Sequence, residues 1–168
     1  RKSSKATLDY FDAIVDQYQY GKNNSVDYRK VRRFAHNSQI ELSSMISSLS
    51  TEPNPNQDLI HNAFRYLVYS HSQLSYVSAL GSHRVQVSDP QILELMLWCK
   101  DYLNQVLLNQ EPLDELLIQE KLTEIQHLNE QDNLSDDLQL ALKQISLLLE
   151  TLPELLKLKT TLLELEIK

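Results

Sequence analysis

Only two glycines, Gly21 and Gly81, punctuate 168 residues, and a chain so poor in glycine has few places for the positive-φ turns that hairpins require. Five prolines and an abundance of Leu, Ser, Gln, Glu and Lys point the same way, to long helices joined by few turns. Apolar residues recur three and four positions apart instead of alternating, which is the period of a helix with one buried face. The expected class is therefore all-α, an antiparallel up-and-down bundle of about six to seven helices. A chain of this length suits one domain over residues 1–168, and burying roughly 68–70% of its unfolded surface gives it a core without staples.

The punctuation divides the chain. Leu8, Phe11, Ile14, Val15 and Tyr18 mark a helix from about Ser4 to Tyr20, stopped by Gly21. A second, from about Val26 to Ser50, carries Val31, Phe34, Ala35, Leu42, Met45, Ile46 and Leu49 on one side. Thr51-Glu-Pro-Asn-Pro-Asn-Gln57 breaks it, and Asp58 is the expected cap of a third helix reaching about Leu80. The stripe Ile60, Phe64, Leu67, His71, Leu74 and Ser78 places His71 on that helix's apolar face, and Gly81 is expected to supply a left-handed C-terminal turn. Asp89-Pro90 starts a fourth helix, since a capping carboxylate followed by proline suits the first helical position. Pro112 opens a fifth, from about Leu113 to Leu128, and the turn Asp132, Asn133 and Ser135 caps a sixth. Pro153 either kinks the sixth or starts a seventh, and residues 153–168, with Leu155, Leu158, Leu162 and Leu165 at seam spacing, form a packing or oligomerisation helix.

Charge is divided unevenly. Residues 1–84 hold ten Lys and Arg against seven Asp and Glu (+3), whereas residues 85–168 hold six against sixteen (−10), for a net −7. An acidic half argues against general nucleic-acid binding, which draws its affinity from cations on phosphates. The basic run Tyr28-Arg-Lys-Val-Arg-Arg33 spreads around a helix and reads as solvated surface. Nowhere is there a run of about 18 apolar residues, so no spanning helix and no secretory leader is expected. The sequence begins without methionine, and its start, with Arg1, Lys2 and Lys5 within residues 1–7, resembles the basic flank beside the cytoplasmic end of a membrane helix.

Chemistry-bearing clusters are sparse. Asp58-Leu-Ile-His61 and Glu124-Ile-Gln-His127 each set a carboxylate and an imidazole on one helix face, but a di-iron bundle needs further inward carboxylates. No metal or other cofactor is expected. Cys99 has no intramolecular disulfide partner and sits in an apolar stretch, a small core residue. With two glycines there is no phosphate-cradling loop. Arg33, His36 and Asn37 on the second helix and Arg65, Tyr69, Ser72 and Tyr76 on the third would form a polar seam if those faces meet. Such a seam is either a hydrogen-bond network or, through Arg65, Tyr69 and Tyr76, a site for an aromatic carboxylate. A helical-bundle enzyme with His71 or His83 as base is the reading from a different class.

Four segments in order, Arg32-Arg-Phe-Ala-His-Asn37, Leu49-Ser-Thr-Glu-Pro53, Phe64-Arg-Tyr-Leu67 with His71, and Leu74-Ser-Tyr-Val-Ser-Ala-Leu-Gly-Ser-His-Arg84, resemble the C-terminal region of the FUSC family. These are bacterial inner-membrane proteins related to fusaric-acid-resistance and aromatic-acid exporters, and the resemblance covers roughly residues 25 to 90. It implies a domain on the cytoplasmic face of the inner membrane, following the membrane domain of the same polypeptide, with a role in assembly or regulation of efflux and no enzymatic activity. The positions it singles out, Arg33, His36, Asn37, Glu52, Pro53, Arg65, His71, Tyr76, Gly81, His83 and Arg84, are expected to serve fold, docking or regulation. The leucine-rich tail is the feature that points to homo-oligomerisation, and an aromatic carboxylate is the ligand the family's substrates suggest.

Overall fold

A computed structural model describes residues 2–21, 26–82, 87–131 and 133–167. Among them run six helices and no strand: α1 (Lys2–Tyr20), α2 (Val26–Leu49), α3 (Gln57–Ser82), α4 (Pro90–Leu107), α5 (Glu115–Asn129) and α6 (Asp136–Ile167). The all-α bundle read from the glycine-poor, helix-periodic sequence is the fold.

Local chemistry sets most helix ends. Gly21 takes φ 95° and its N–H donates to the Gln17 carbonyl at 2.9 Å, so it ends α1 in the left-handed conformation that glycine adopts without strain. The Asp89 carboxylate accepts from the Gln91 N–H at 2.9 Å and Pro90 occupies the first position of α4, as expected. Asp114 caps α5, which therefore starts two residues later than Leu113. The cap of α3 is Asn56, whose Oδ1 accepts from the Leu59 N–H at 3.2 Å, so Asp58 lies inside the helix. Pro153 starts no seventh helix. α6 continues through it for 32 residues, about 48 Å at helical rise.

The interhelical bonds fix an antiparallel order. Lys2 meets Glu41 and Ser3 meets Gln39 across α1 and α2, Gln39 and His36 meet Ser70 and Ser78 across α2 and α3, and Arg65 and Gln73 meet Glu154 and Thr151 across α3 and α6. α1 packs against α2, α3 and α4; α6 packs against α3, α4 and α5. α1 is thus the central helix, with Tyr10, Phe11, Ile14, Val15 and Tyr18 buried, and Ser3, Ser4, Ala6 and Thr7 of the basic N-terminal segment are buried too, leaving Lys2 and Lys5 exposed. α2 and α5 lie at opposite margins and do not pack on each other.

The tail completes the core. Leu142, Ile145, Leu149, Leu152, Leu155 and Leu158 are all buried inside this chain, whereas Leu163 is half exposed. No helix is long and apolar enough to cross a membrane among the described residues.

Three sequence expectations fail in α2 and α3. Phe34 is 50% and Met45 65% exposed, because α1 and α3 cover only the side of α2 that carries Tyr28, Ala35, Ser38, Gln39 and Ile46. The buried face of α3 is Ala63, Tyr66, Ser70, Gln73, Leu74, Val77 and Leu80, rotated from the apolar stripe, so His71 is exposed instead of buried. Gly81 does not end α3. It lies within the helix with ordinary φ, and a Cβ there would come within 3.0 Å of Tyr28 Oη and 3.2 Å of both Ile14 Cδ1 and Tyr10 Oη. Its role is close approach of α3 to α1 and α2.

Candidate functional site

Where α1, α2 and α3 meet, small polar side chains are buried together. Gln39 Oε1 accepts from Ser70 Oγ at 3.0 Å and from Ser3 Oγ at 3.2 Å, and Ser4 Oγ lies 3.5 Å from Tyr66 Oη. Further along, His36 Nε2 lies 3.4 Å from Ser78 Oγ, and its ring is tilted against Tyr10 at 6.1 Å. The faces of α2 and α3 do meet in a polar seam, but only His36 of the expected residues belongs to it. Arg33 and Asn37 are exposed on the outer side of α2. The seam residues missed by sequence reasoning, Gln39, Ser70 and Ser3, carried no signal beyond scattered serines and a glutamine.

Arg65, Tyr69, Ser72 and Tyr76 share the other side of α3, where Arg65 donates to Glu154 Oε1 of α6 at 2.8 Å. Tyr69 and Tyr76 are half-buried against the core. On the same helix Gln73, buried, donates from Nε2 to Thr151 Oγ1 at 2.6 Å and to the Leu148 carbonyl at 3.2 Å. These contacts grip α6 just before Pro153, whose missing N–H leaves the Leu149 carbonyl without its helical donor. An internal cavity of about 20 Å³, lined in part by Ser4, Thr7, Ser70 and Gln73, is about one water in size. The side of α3 that bears Arg65 is therefore tied to α6 on either side of Pro153, at Glu154 and at Thr151.

Burial shapes three titrations. Desolvation lifts the Asp12 carboxyl to about 6, opposed by Lys100 and by a 3.4 Å bond from Asn104 Nδ2. Desolvation lowers His36, helped by electrostatic repulsion from Arg32 and then from His71. The Cys99 thiol, fully buried, is pushed up by desolvation alone, which keeps it a protonated core side chain.

The remaining candidates disperse. Glu52 and Pro53 are exposed in the connection before α3, and His83 and Arg84 lie outside the described residues. His61 is exposed near the start of α3, and His127 is exposed in the last turn of α5, where it favours the helix dipole. No group of three or more His, Cys, Asp or Glu side chains converges on a metal-sized site among the described residues. Open clefts lie elsewhere: one of about 350 Å³ beside Pro112 and Lys159, and one of about 360 Å³ on the outer side of α2, lined by Val26, Arg29, Lys30, Arg33, Phe34 and Asn37.

The geometry defines an all-helical bundle in which Gln39 Oε1 joins Ser70 and Ser3 across three helices while Gln39 Nε2 and Ser38 Oγ stay buried without a partner among the described residues, and whose cationic cleft faces outward. Over 156 residues, 92% of this chain, it is 36% identical to the inner membrane protein YccS of Escherichia coli (strain K12). It is 35% identical over 82 residues, 49% of the chain, to an uncharacterized protein of Haemophilus influenzae. The chain spans 22% of the length of the first relative and 11% of the second. It is thus homologous to a segment of an inner-membrane protein. No family model and no solved structure matches it.

Proposed function

We propose that this chain is a helical domain of a transporter-like inner-membrane protein of the FUSC type, held on the cytoplasmic face, where it serves assembly or gating of the membrane part and catalyses no reaction. The observation that carries the proposal is the similarity to the inner membrane protein YccS along 92% of the chain, in a segment without a spanning helix among its described residues. Efflux of aromatic acids or related compounds is the matching activity for the whole protein. The buried seam of Gln39, Ser70, Ser3 and His36 supports a structural role, because Gln39 Oε1 accepts from both Ser70 and Ser3 and His36 lies against Ser78, which ties three helices together.

Paired reporter fusions after residue 168 of the complete gene product test this. A green fluorescent protein fusion is expected to fluoresce and to sediment with the inner membrane, and a periplasm-dependent phosphatase fusion at the same point is expected to stay inactive. An active phosphatase, or a gene product without hydrophobic spans, overturns the proposal.

A further inference from the structure

Four cations elsewhere on this molecule reach carboxylates. Lys2 reaches Glu41 at 2.7 Å, Lys5 reaches Asp9 at 3.2 Å, Arg65 reaches Glu154 at 2.8 Å and Lys121 reaches Glu124 at 3.3 Å. Arg29, Lys30, Arg32 and Arg33 make no such pair among the described residues, although they crowd into five positions of α2. Helical spacing sets Val26, Arg29, Lys30, Arg33 and Phe34 along the outer side, where they line the 360 Å³ cleft, and a second cleft of about 200 Å³ opens beside it between Arg29, Arg32, Arg33 and His36. Val26, Phe34 and Ile40 are exposed apolar side chains on or beside this cationic face.

The charge of the whole bundle has a direction. α2 and α5 sit at opposite margins, and the outer side of α5 shows exposed Glu115, Glu120 and Glu124. An anionic plane would attract the α2 margin and repel the α5 margin, which fixes orientation despite the net charge of −7.

We infer that the outer face of α2, centred on Arg29, Lys30, Arg33 and Phe34, is a docking surface for anionic lipid headgroups. Interfacial helices bind this way: guanidinium and ammonium groups meet phosphates while flanking apolar side chains enter the shallow acyl boundary. An acidic helix of a second copy would satisfy the cations, but α5 offers one strongly exposed apolar side chain, Leu116, against Val26, Phe34 and Ile40. A headgroup layer accepts both kinds of side chain at two depths. The inference rests on the membrane attachment proposed above, because that attachment keeps the domain beside a lipid surface.

Vesicle co-sedimentation of the 168-residue chain at physiological ionic strength tests it. The protein is expected to bind phosphatidylcholine vesicles containing about a quarter phosphatidylglycerol and to ignore pure phosphatidylcholine. The variant Arg29→Gln/Lys30→Gln/Arg33→Gln, with its helical circular dichroism intact, should bind on the order of a hundredfold more weakly, and Phe34→Ser several-fold more weakly. Lys143→Gln/Lys157→Gln on α6 should bind as the parent does. Equal binding by the triple variant overturns the inference, and so does a parent protein that ignores both vesicles or self-associates through these residues instead. The two readings separate: fusions that report cytoplasmic membrane attachment together with absent vesicle binding refute this docking surface alone.

Discussion

Asp12 and His36 titrate in opposite senses, and each sign follows from burial. Asp12 is raised to about 6 by desolvation, so its folded form holds the proton more tightly than the unfolded chain does. The stability it lends is complete below the ordinary 3.8 and is lost as pH rises through about 6. Asp12→Asn removes the charged form and keeps an acceptor for Asn104. It should stabilise the protein at pH 7 by about 1 kcal/mol, less than the shift alone implies because the carboxylate retains solvent, and the gain should fade near pH 4 in urea titrations. His36 is lowered by desolvation, so its contribution is present above 6.5 and is lost as pH falls through its folded value. Gly81 poses a steric question. Ala in its place gains helix propensity but sets a methyl group against Tyr28, Tyr10 and Ile14, two of them fully buried on α1. Overpacking should outweigh propensity and lower stability by about 1 kcal/mol in denaturant melts.

At the scale of elements, α6 and the α4–α5 connection make the sharpest contrasts. Leu158 and Leu163 share one leucine-rich tail, yet Leu158 is 2% and Leu163 50% exposed. Leu158→Ala should cost about 2–5 kcal/mol and Leu163→Ala less than about 0.5 kcal/mol, a difference visible in thermal melts. The connection after α4 is held by Tyr102, whose Oη accepts the Asp114 N–H at 3.0 Å while its ring stacks on Trp98 at 4.9 Å. Lys121 Nζ sits 5.0 Å over the Trp98 ring from α5. Tyr102→Phe leaves the Asp114 amide without that acceptor and should cost about 1 kcal/mol. The start of α4 was legible because Asp89 and Pro90 act within three residues. The true cap of α3 was missed because Asn56 and Asp58 are equally good capping residues two positions apart, and only the backbone path out of the Pro53-Pro55 turn selects between them.

Across the whole molecule, one core cluster draws side chains from all of α1 to α6, so the bundle should unfold as a unit. Trp98 fluorescence and far-ultraviolet circular dichroism are expected to give coincident urea transitions; a separate, earlier loss at Trp98 would show α4 and α5 melting apart. Aromatic carboxylates at millimolar concentration should leave Tm unchanged, because Glu154 already holds the Arg65 guanidinium and Gln73 binds the same helix to α6. A clear rise would favour the sensing reading of Arg65, Tyr69 and Tyr76.

Periodicity, glycine scarcity and caps act over a few residues, so the sequence by itself determined an all-helical chain, its segmentation near Gly21, Pro53-Pro55 and Asp89-Pro90, and the burial of Cys99 and of Leu155 and Leu158 in the tail. Which side of each amphipathic helix is covered depends on how many neighbours it has. α1 is enclosed by three helices, and its serines and threonine are buried with Tyr10, Phe11 and Tyr18; α2 sits at a margin, and Phe34 and Met45 face out. Tertiary structure alone placed His71 in solvent, made Gly81 a point of contact instead of a turn, tied Arg65 to Glu154, and left the α2 cations without an ion pair among the described residues. Helix formation is a local decision, whereas burial and ion pairing are decided by residues distant in the chain.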